Sequence, residues 1–282
     1  MALYSKSPDG AAEPGTAELF AGHPVLTLET WAKALGGPKA LSRAAARARY
    51  HLGTGRLHRV ARSVYAVVPP GTRARGFQPD PYLVAAALRG DAILSHHAAL
   101  DLLGAAHSVF HRFTYLTSSP RRVVRLDGTE WVALAHPTAL VKARKREFGV
   151  TTLDRQGVTL KVTGPERTLV DGFAGLRWVG GLDEHVESAA SLRDLDLEQV
   201  HRYLRLLNEH VLYGALGWFL ERHPEVAHNT TQYLDRFARH VPRQPSYLGR
   251  RVRGAKFEKR WNVLVPQHLS RGAGFDAPTA FR

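Results

Sequence analysis

Residues 31–79 read WAKALGGPKALSRAAARARYHLGTGRLHRVARSVYAVVPPGTRARGFQP, a stretch of 49 residues with ten Lys and Arg and no Asp or Glu. The whole chain of 282 residues has a formal net charge of +14, so this stretch carries most of the excess. A solvated protein surface normally intersperses both signs. The stretch therefore predicts a face that meets a polyanion. The alternative is an Arg-rich composition on a merely solvated surface.

The same stretch has the pattern of two helices followed by a hairpin. A short helix is predicted from an N-cap at Thr27 to the turn Gly36-Gly37-Pro38. A second helix is predicted from Pro38 to Leu52, and two β-like runs follow at Arg56 to Val60 and Val64 to Val68. The second helix has one apolar row at helical spacing, which we predict to be buried: Leu41, Ala45, Ala48 and Leu52. This order is typical of a winged helix-turn-helix domain.

Such a domain can bind double-stranded DNA, because the major groove admits one α-helix and Arg reads guanine edges. We predict that the basic and aromatic side chains of the second helix and the hairpin bind DNA: Lys39, Arg43, Arg47, Arg49, Tyr50, Arg56, Arg59 and Arg62. Those on the helix are expected to reach bases, and those on the hairpin phosphates or the minor groove. The alternative is a small basic bundle that docks on another part of the chain, against which the missing acids argue.

Composition divides the chain into four parts. We predict a mobile arm over residues 1–22, the winged helix-turn-helix domain over 23–72, a linker over 73–79 and a larger mixed domain over 80–282. The larger domain shows helical and strand patterns: helices from Asp80-Pro81 and Ser95 and over 166–174, 182–192, 197–208, 211–222 and 233–241, and strands over 113–117, 122–126, 130–135 and 158–163, with a hairpin at Asp127-Gly128. The fold class is therefore predicted as α+β.

The chain totals restrict compartment and partners. There is no cysteine, which excludes disulfides and thiolate metal sites. The N-terminus lacks the apolar core of a signal peptide, and the longest apolar run, residues 211–220, is about half a membrane span. We therefore expect a cytoplasmic protein without a membrane partner. A sequence pI near 10.4 makes nucleic acid the first partner to test.

No catalytic constellation, metal site or cofactor motif is predicted. The 15 histidines form no His-Glu-x-x-His pattern, and no P-loop, dinucleotide-binding or nucleophile-elbow pattern occurs. Glu166, Arg167 and Asp171 lie in a tidy apolar pattern, which favours a helix-capping network or a buried ion pair over an acid pair. A nuclease would need clustered carboxylates, and Asp154 is too far along the chain from that set to claim one. The chain is therefore not predicted to be an enzyme.

A second basic cluster runs from Arg243 to Arg271, with eight Lys and Arg against Glu258 alone. Within it Trp261 and the run from Val263 to Val265 have the character of buried residues. We therefore expect the cluster to be the charged rim of a folded segment.

Four segments resemble the AbiEi-family antitoxins, in the family's order. They are RLHRVARSVYAVVPP (56–70), ILSHHAALDLLG (93–104), VTGPERTLVDGF (162–173) and RWNVLVPQHL (260–269). The resemblance covers residues 24 to 270, and PERTLVD is its most specific piece. The family usually has Gly where this chain has Ser63, and since Ser tolerates positive φ poorly, a differently shaped wing turn is expected.

The resemblance implies an autorepressor and antitoxin. Members of the family pair a winged helix-turn-helix with an α+β domain, repress their own operon at promoter inverted repeats, and counteract a nucleotidyltransferase-like toxin encoded beside them. The partners implied are double-stranded DNA and that toxin, bound directly or opposed functionally. Two other functions stay open: an RNA- or ribosome-associated basic protein, and a nuclease with a winged-helix targeting domain.

Overall fold

The computed structural model describes residues 15–73, 75–119 and 123–270, which form two compact units. The N-terminal unit comprises the described part of residues 1–90 and Leu153–Leu160. The C-terminal unit comprises the described residues of 91–152 and 161–282. Both contain helices and strands, so the predicted α+β class is confirmed. No helix in the described ranges is long and apolar enough to span a membrane.

The N-terminal unit is a three-stranded sheet with four helices. Its elements are α1 (Thr16–Gly22), β1 (Val25–Thr27), α2 (Leu28–Leu35), α3 (Ala40–Gly53), β2 (Leu57–Ala61), β3 (Val64–Val67) and α4 (Pro81–Leu88). The sheet is antiparallel with the order β1-β3-β2. Thr27 is the N-cap of α2, as predicted, because its Oγ1 accepts a hydrogen bond of 3.0 Å from the Thr30 amide.

The first helix corrects the predicted arm. Residues 16–22, assigned to the arm, form α1, and Leu19 and Phe20 are buried in the core of the unit. The Phe20 ring packs edge-on against Trp31 with centroids 5.5 Å apart. A helix of seven residues is not stable in isolation, so packing of these two apolar side chains against the core is what stabilises it. Residues 1–14 of the predicted arm lie outside the described residues.

The buried row of α3 also differs from the prediction. Ala44, Ala48 and His51 are buried, whereas Leu41 is 56% exposed. Lys39 has a left-handed backbone (φ 56°), so the helix begins at Ala40 and not at Pro38. Small side chains on α3 leave room for the large rings that α1 and α2 contribute, so the alanines and not Leu41 face the core.

The boundary at Pro79 does not coincide with the edge of the compact unit. Helix α4 begins where Asp80-Pro81 predicted it, since Asp80 Oδ1 accepts from the amides of Tyr82 and Leu83. It belongs to the N-terminal unit, together with Arg155, whose Nε donates to Asp80 Oδ2 at 2.6 Å. The predicted linker over 73–79 therefore leads to an element of the same unit.

The C-terminal unit contains most of a six-stranded mixed sheet with the order β6-β7-β5-β4-β9-β8. The strands are β4 (Ile93–Leu94), β5 (Arg112–Thr117), β6 (Val124–Leu126), β7 (Thr129–Ala135), β8 (Val150–Arg155) and β9 (Val158–Thr163). The hairpin predicted at Asp127-Gly128 joins β6 to β7, with Leu126 opposite Thr129. Residues 153–160, at the turn of β8 and β9, group with the N-terminal unit.

Helices and a small second sheet form the core of the C-terminal unit. The helices are α5 (His97–Leu102), α6 (Thr138–Lys142), α7 (Pro165–Ala174), α8 (Leu182–Ala189), α9 (Leu197–Leu207), α10 (His210–Arg222), α11 (Thr230–Ala238) and α12 (Gln267–Ser270), with 3₁₀ turns at Leu176–Trp178 and Pro224–Val226. The second sheet has the order β10-β12-β11, from Ser246–Tyr247, Val263–Val265 and Lys256–Glu258.

The helix predicted to follow a cap at Ser95 begins one residue later than expected, at His97. The residue before α5 is His96, which has a φ of 55°, and Ser95 Oγ lies 3.0 Å from His96 Nδ1. The Ser95 hydroxyl is therefore used by a neighbouring side chain and not by the helix amides.

Candidate nucleic-acid interface

The turn between α2 and α3 is fixed by Arg43. Its Nη2 donates hydrogen bonds to the carbonyl oxygens of Leu35 at 2.9 Å and Gly36 at 2.7 Å. These carbonyls end α2, where a guanidinium satisfies free acceptors and complements the helix dipole. Arg43, predicted to contact bases, therefore orients α3 against α2 in this structure.

The outward face of α3 carries a different set of side chains from the one predicted. The residues opposite the buried row are exposed, and they repeat at helical spacing: Ser42, Ala46 and Arg49, with Lys39 and Tyr50 beside them. Tyr50 is 68% exposed. Arg47 is half-buried at the edge of the helix near His51.

Ser42 and Ala46 were missed because the buried row was misassigned. The signal that finds them is the spacing of Ala44, Ala48 and His51, which places Ser42, Ala46 and Arg49 on the opposite side of the helix. The small side chains of Ser42 and Ala46 leave the backbone of α3 little covered on this face.

The β2–β3 hairpin turns at Arg62-Ser63. Ser63 takes a φ of 64°, the region in which glycine is common, so the expectation of a differently shaped turn is wrong. Its carbonyl oxygen accepts a hydrogen bond of 3.0 Å from the Leu28 amide, which ties the turn to the start of α2. This contact holds the serine in the left-handed conformation.

The hairpin cations are exposed and partly ordered by aromatic rings. The Arg56 guanidinium lies 5.4 Å from the centroid of the Phe20 ring, and that of Arg59 lies 5.8 Å from the Tyr65 ring. Arg62 is exposed at the turn itself. Stacking on a ring orders the side chain while leaving the guanidinium donors available.

Charge on the N-terminal unit is strongly one-sided. Its described residues include twelve Lys and Arg against four acids, namely Glu18, Glu29, Asp80 and Asp154. Five of the predicted site residues form no ion pair with any acid in the described ranges: Lys39, Arg49, Arg56, Arg59 and Arg62. The structure therefore brings uncompensated cations onto α3 and onto the hairpin.

His51 supports this face from inside the core. Burial lowers its pKa, and the nearby charges of Arg56 and Arg47 lower it further. The ring packs against Phe20 and Trp31 with centroids 5.1 and 5.9 Å away. His51 is thus a neutral core residue and adds no charge to the surface.

The charged set in PERTLVD is internal, as favoured from sequence. Arg167 is 1% exposed and donates from Nε to Asp171 Oδ2 at 3.1 Å and from Nη1 to the carbonyls of Arg146 and Phe148, both at 2.8 Å. Asp171 Oδ1 accepts from the Tyr203 hydroxyl at 2.5 Å. The pair therefore links α7 to α9 and to the chain before β8.

Glu166 supplies the capping part of that network. Its Oε1 accepts from the Asp196 amide at 3.1 Å and its Oε2 from the Gln199 side chain at 2.7 Å. Asp154, the third carboxylate considered, belongs to the other unit and accepts from the Gly157 amide at 3.2 Å. Within the described ranges, no three His, Asp or Glu side chains are grouped so that they could hold a metal ion.

The chain is similar to known proteins in its fold. No protein-family model and no curated protein matches the chain. Among solved structures, the chain is similar to the Rv2827c protein of Mycobacterium tuberculosis, with a TM-score of 0.51 and 18% sequence identity over 86% of each chain. At this level of identity, the similarity shows that the two proteins share a fold.

Proposed function

We propose that the N-terminal unit is a winged helix-turn-helix domain that binds double-stranded DNA and that the protein represses its own operon through it. One observation carries the proposal: α3 and the β2–β3 hairpin present exposed cations that have no acidic partner among the described residues. The element order α1-β1-α2-α3-β2-β3 supports it, because this is the order of a winged helix-turn-helix domain. Such a protein would act where the chromosome is, in the cytoplasm.

Helix α3 has the dimensions of a recognition helix. Its 14 residues span about 20 Å, and the major groove accommodates one such helix. The first turns of a recognition helix meet the bases. Lys39 and Ser42 lie at that end of α3, and Arg49 lies about two turns further along the same exposed face as a third candidate. Arg43 keeps the angle between the two helices.

The hairpin suits the DNA backbone. Arg59 and Arg62 lie on an exposed antiparallel ribbon next to α3 in the chain, and arginine neutralises phosphates irrespective of sequence. Arg56 starts the same ribbon. In this proposal α3 supplies sequence preference and the hairpin supplies affinity.

The helix assignment is tested by binding of full-length protein to its own promoter DNA, measured by fluorescence anisotropy. Arg49→Ala should weaken binding by about 1–3 kcal/mol and relax the preference at one base pair. Arg205→Ala, at an exposed position on α9, is the matched control and should leave binding unchanged. Equal affinity of the Arg49 variant and the wild type for operator DNA would remove α3 from the interface.

The hairpin assignment is tested by salt dependence. Arg59→Ala and Arg62→Ala should each weaken binding to all sequences alike and reduce the slope of log K against log salt by about one unit. A hairpin variant that altered sequence preference at an unchanged slope would contradict the phosphate role.

We propose in addition that the protein acts as an antitoxin against a nucleotidyltransferase-like toxin from the same operon. This part rests on the resemblance to the AbiEi family. Its most specific motif, PERTLVD, supplies core contacts, so the resemblance supports a common fold more directly than a common toxin contact. The test is co-expression with the product of the neighbouring reading frame. Growth rescue supports the proposal, and continued toxicity beside soluble full-length protein opposes it.

A further inference from the structure

The second basic cluster forms a distinct surface on the C-terminal unit. Strands β10 and β11 flank β12, and the register places Tyr247 and Phe257 on either side of Leu264. Residues opposite one another in neighbouring strands point to the same face of a sheet. Tyr247, Leu264 and Phe257 therefore form one apolar row across the three strands.

The other face of this sheet is closed. Trp261, Val263 and Val265 are buried, as predicted from sequence, whereas Leu264 of the same run is half-buried. On α10, a Cβ added at Gly217 would lie 1.9 Å from the Trp261 ring, so the segment packs directly on the helix. The row described above is thus on the outer face.

That outer face is unusually apolar for a charged segment. Tyr247 is 37% exposed, Phe257 is 47% exposed and Leu264 is half-buried. A single exposed apolar side chain is ordinary. Two exposed aromatic rings in one row are typical of a surface that a binding partner covers.

The segment that bears the row also carries exposed cations. The Arg251 guanidinium lies 5.6 Å from the centroid of the Tyr247 ring. Four further cations in the segment are exposed and form no ion pair with an acid in the described part of the chain: Arg250, Arg253, Lys256 and Lys259. The one acid of the segment, Glu258, is bound to Arg222 at 2.9 Å. The surface therefore suits a polyanion.

We propose that the face bearing Tyr247, Leu264 and Phe257 binds single-stranded RNA. Single-stranded nucleic acid offers what this face lacks, namely flat rings that stack on aromatic side chains and phosphates that neutralise a basic rim. Bases in a duplex are stacked on each other and do not reach such a platform. An acidic peptide would neutralise the cations and leave both rings unused.

The spacing of the strands sets the size of the site. Neighbouring strands lie about 4.8 Å apart, so the two rings are separated by about 10 Å across Leu264. Each ring can stack against one base, and the sugar-phosphate backbone that links the bases would then lie next to Arg251. The site belongs to the C-terminal unit and the proposed DNA face to the N-terminal unit, and neither proposal depends on the other.

The test uses full-length protein with Arg49, Arg59 and Arg62 all changed to Ala, so that the proposed DNA face does not contribute. Binding of a labelled 12-nucleotide oligouridine is measured by anisotropy. Tyr247→Ala and Phe257→Ala should each weaken it about tenfold, the usual scale of one stacked base. Tyr247→Phe and Phe257→Tyr keep the rings and should bind within twofold of the parent. Arg251→Glu should weaken binding, and the matched Arg205→Glu should not.

The competing ligands are a double-stranded RNA, a single-stranded DNA and a poly-glutamate peptide. Single-stranded DNA that binds as well as RNA supports the stacking site, because stacking does not depend on the sugar. Binding of DNA strands alone contradicts the assignment to RNA. Equal binding of the duplex or the peptide overturns the proposal, as do alanine variants that keep native circular dichroism and full RNA affinity. Absence of RNA binding by the parent overturns it outright.

Discussion

At the residue scale, His185 shows how burial controls the response of the protein to acid. The side chain is fully buried between α7 and α8, and its Nε2 lies 3.1 Å from the carbonyl oxygen of Leu169, to which the neutral ring donates. Burial lowers the pKa of His185 from 6.5 to about 4. His96 and His51 are also buried, and burial lowers their pKa values too. Burial thus disfavours the protonated form of all three rings in the folded chain.

We predict that His185 makes the protein less stable in acid. In the unfolded chain it takes up a proton below pH 6.5, whereas in the folded chain it does so only near pH 4, so stability falls as the pH falls through that window. Its share is about 2 kcal/mol between pH 7 and pH 5. Urea denaturation at the two pH values measures it. His185→Gln should reduce the difference, and an unchanged difference would remove His185 as the cause.

A second residue-scale prediction concerns the hairpin turn. Ser63 has a φ of 64°, which costs a residue with a Cβ about 1 kcal/mol relative to glycine. Ser63→Gly should therefore raise the free energy of unfolding by up to that amount while leaving the affinity for promoter DNA unchanged. The control is Ser42→Gly inside α3, which should lower stability by about 0.5–1 kcal/mol. A destabilising effect of Ser63→Gly would mean that the serine side chain contributes more than its backbone strain costs.

The buried row of α3 could not be assigned correctly from the sequence of that helix alone. Leu41 was predicted to be buried because it lies at helical spacing from Ala48 and Leu52, yet it is 56% exposed. The core space beside α3 is filled by Phe20 of α1, a segment whose composition indicated an arm. Since that ring was not expected in the core, the small residues Ala44 and Ala48 could not be recognised as the ones that accommodate it.

At the scale of elements, local signals predicted many of the helices and strands, and pairing between strands explains two that were missed. The Asp80-Pro81 cap and the strand ending at Thr163 lie where they were predicted. Strands β1 and β4 were missed because they have three and two residues, too few for a periodic pattern. Each exists through its partners, β3 for the first and β5 with β9 for the second.

The contact between α10 and the second sheet yields an element-scale prediction. Gly217 lies within α10, where alanine would ordinarily stabilise the helix by about 0.5–1 kcal/mol. Here a Cβ would lie 1.9 Å from the buried Trp261 ring, so Gly217→Ala should instead destabilise the protein by about 1–3 kcal/mol. Gly22→Ala, at the end of α1 with open space around it, is the control and should not destabilise. Tryptophan fluorescence during urea unfolding reports both, and a stable Gly217 variant would disprove the close contact.

At the scale of the whole molecule, the division into units limits how the two proposed activities can be separated. The sequence predicted a domain boundary near Pro79, but α4 and residues 153–160 belong to the N-terminal unit. Local composition does not show which distant segments pack together, so the sequence could not predict that residues 153–160 join the N-terminal unit. A fragment starting at Asp80 would carry α4 away from its packing partners. Point substitutions in the full-length protein are therefore the better way to separate DNA binding from antitoxin activity.

We predict that the protein with Arg49, Arg59 and Arg62 all changed to Ala loses repression and keeps antitoxin activity. All three side chains are exposed and without described ion-pair partners, so their loss should leave the fold intact while removing contacts to bases and phosphates. Repression is measured with a promoter reporter, and the proposed antitoxin activity by growth during co-expression of the product of the neighbouring reading frame. The control exchanges three exposed arginines of the other unit, Arg193, Arg202 and Arg205, for Ala, and should keep repression. If the folded variant with the altered DNA face failed to rescue growth while the control rescued it, the proposed antitoxin activity would depend on DNA binding. The two activities could then not be separated.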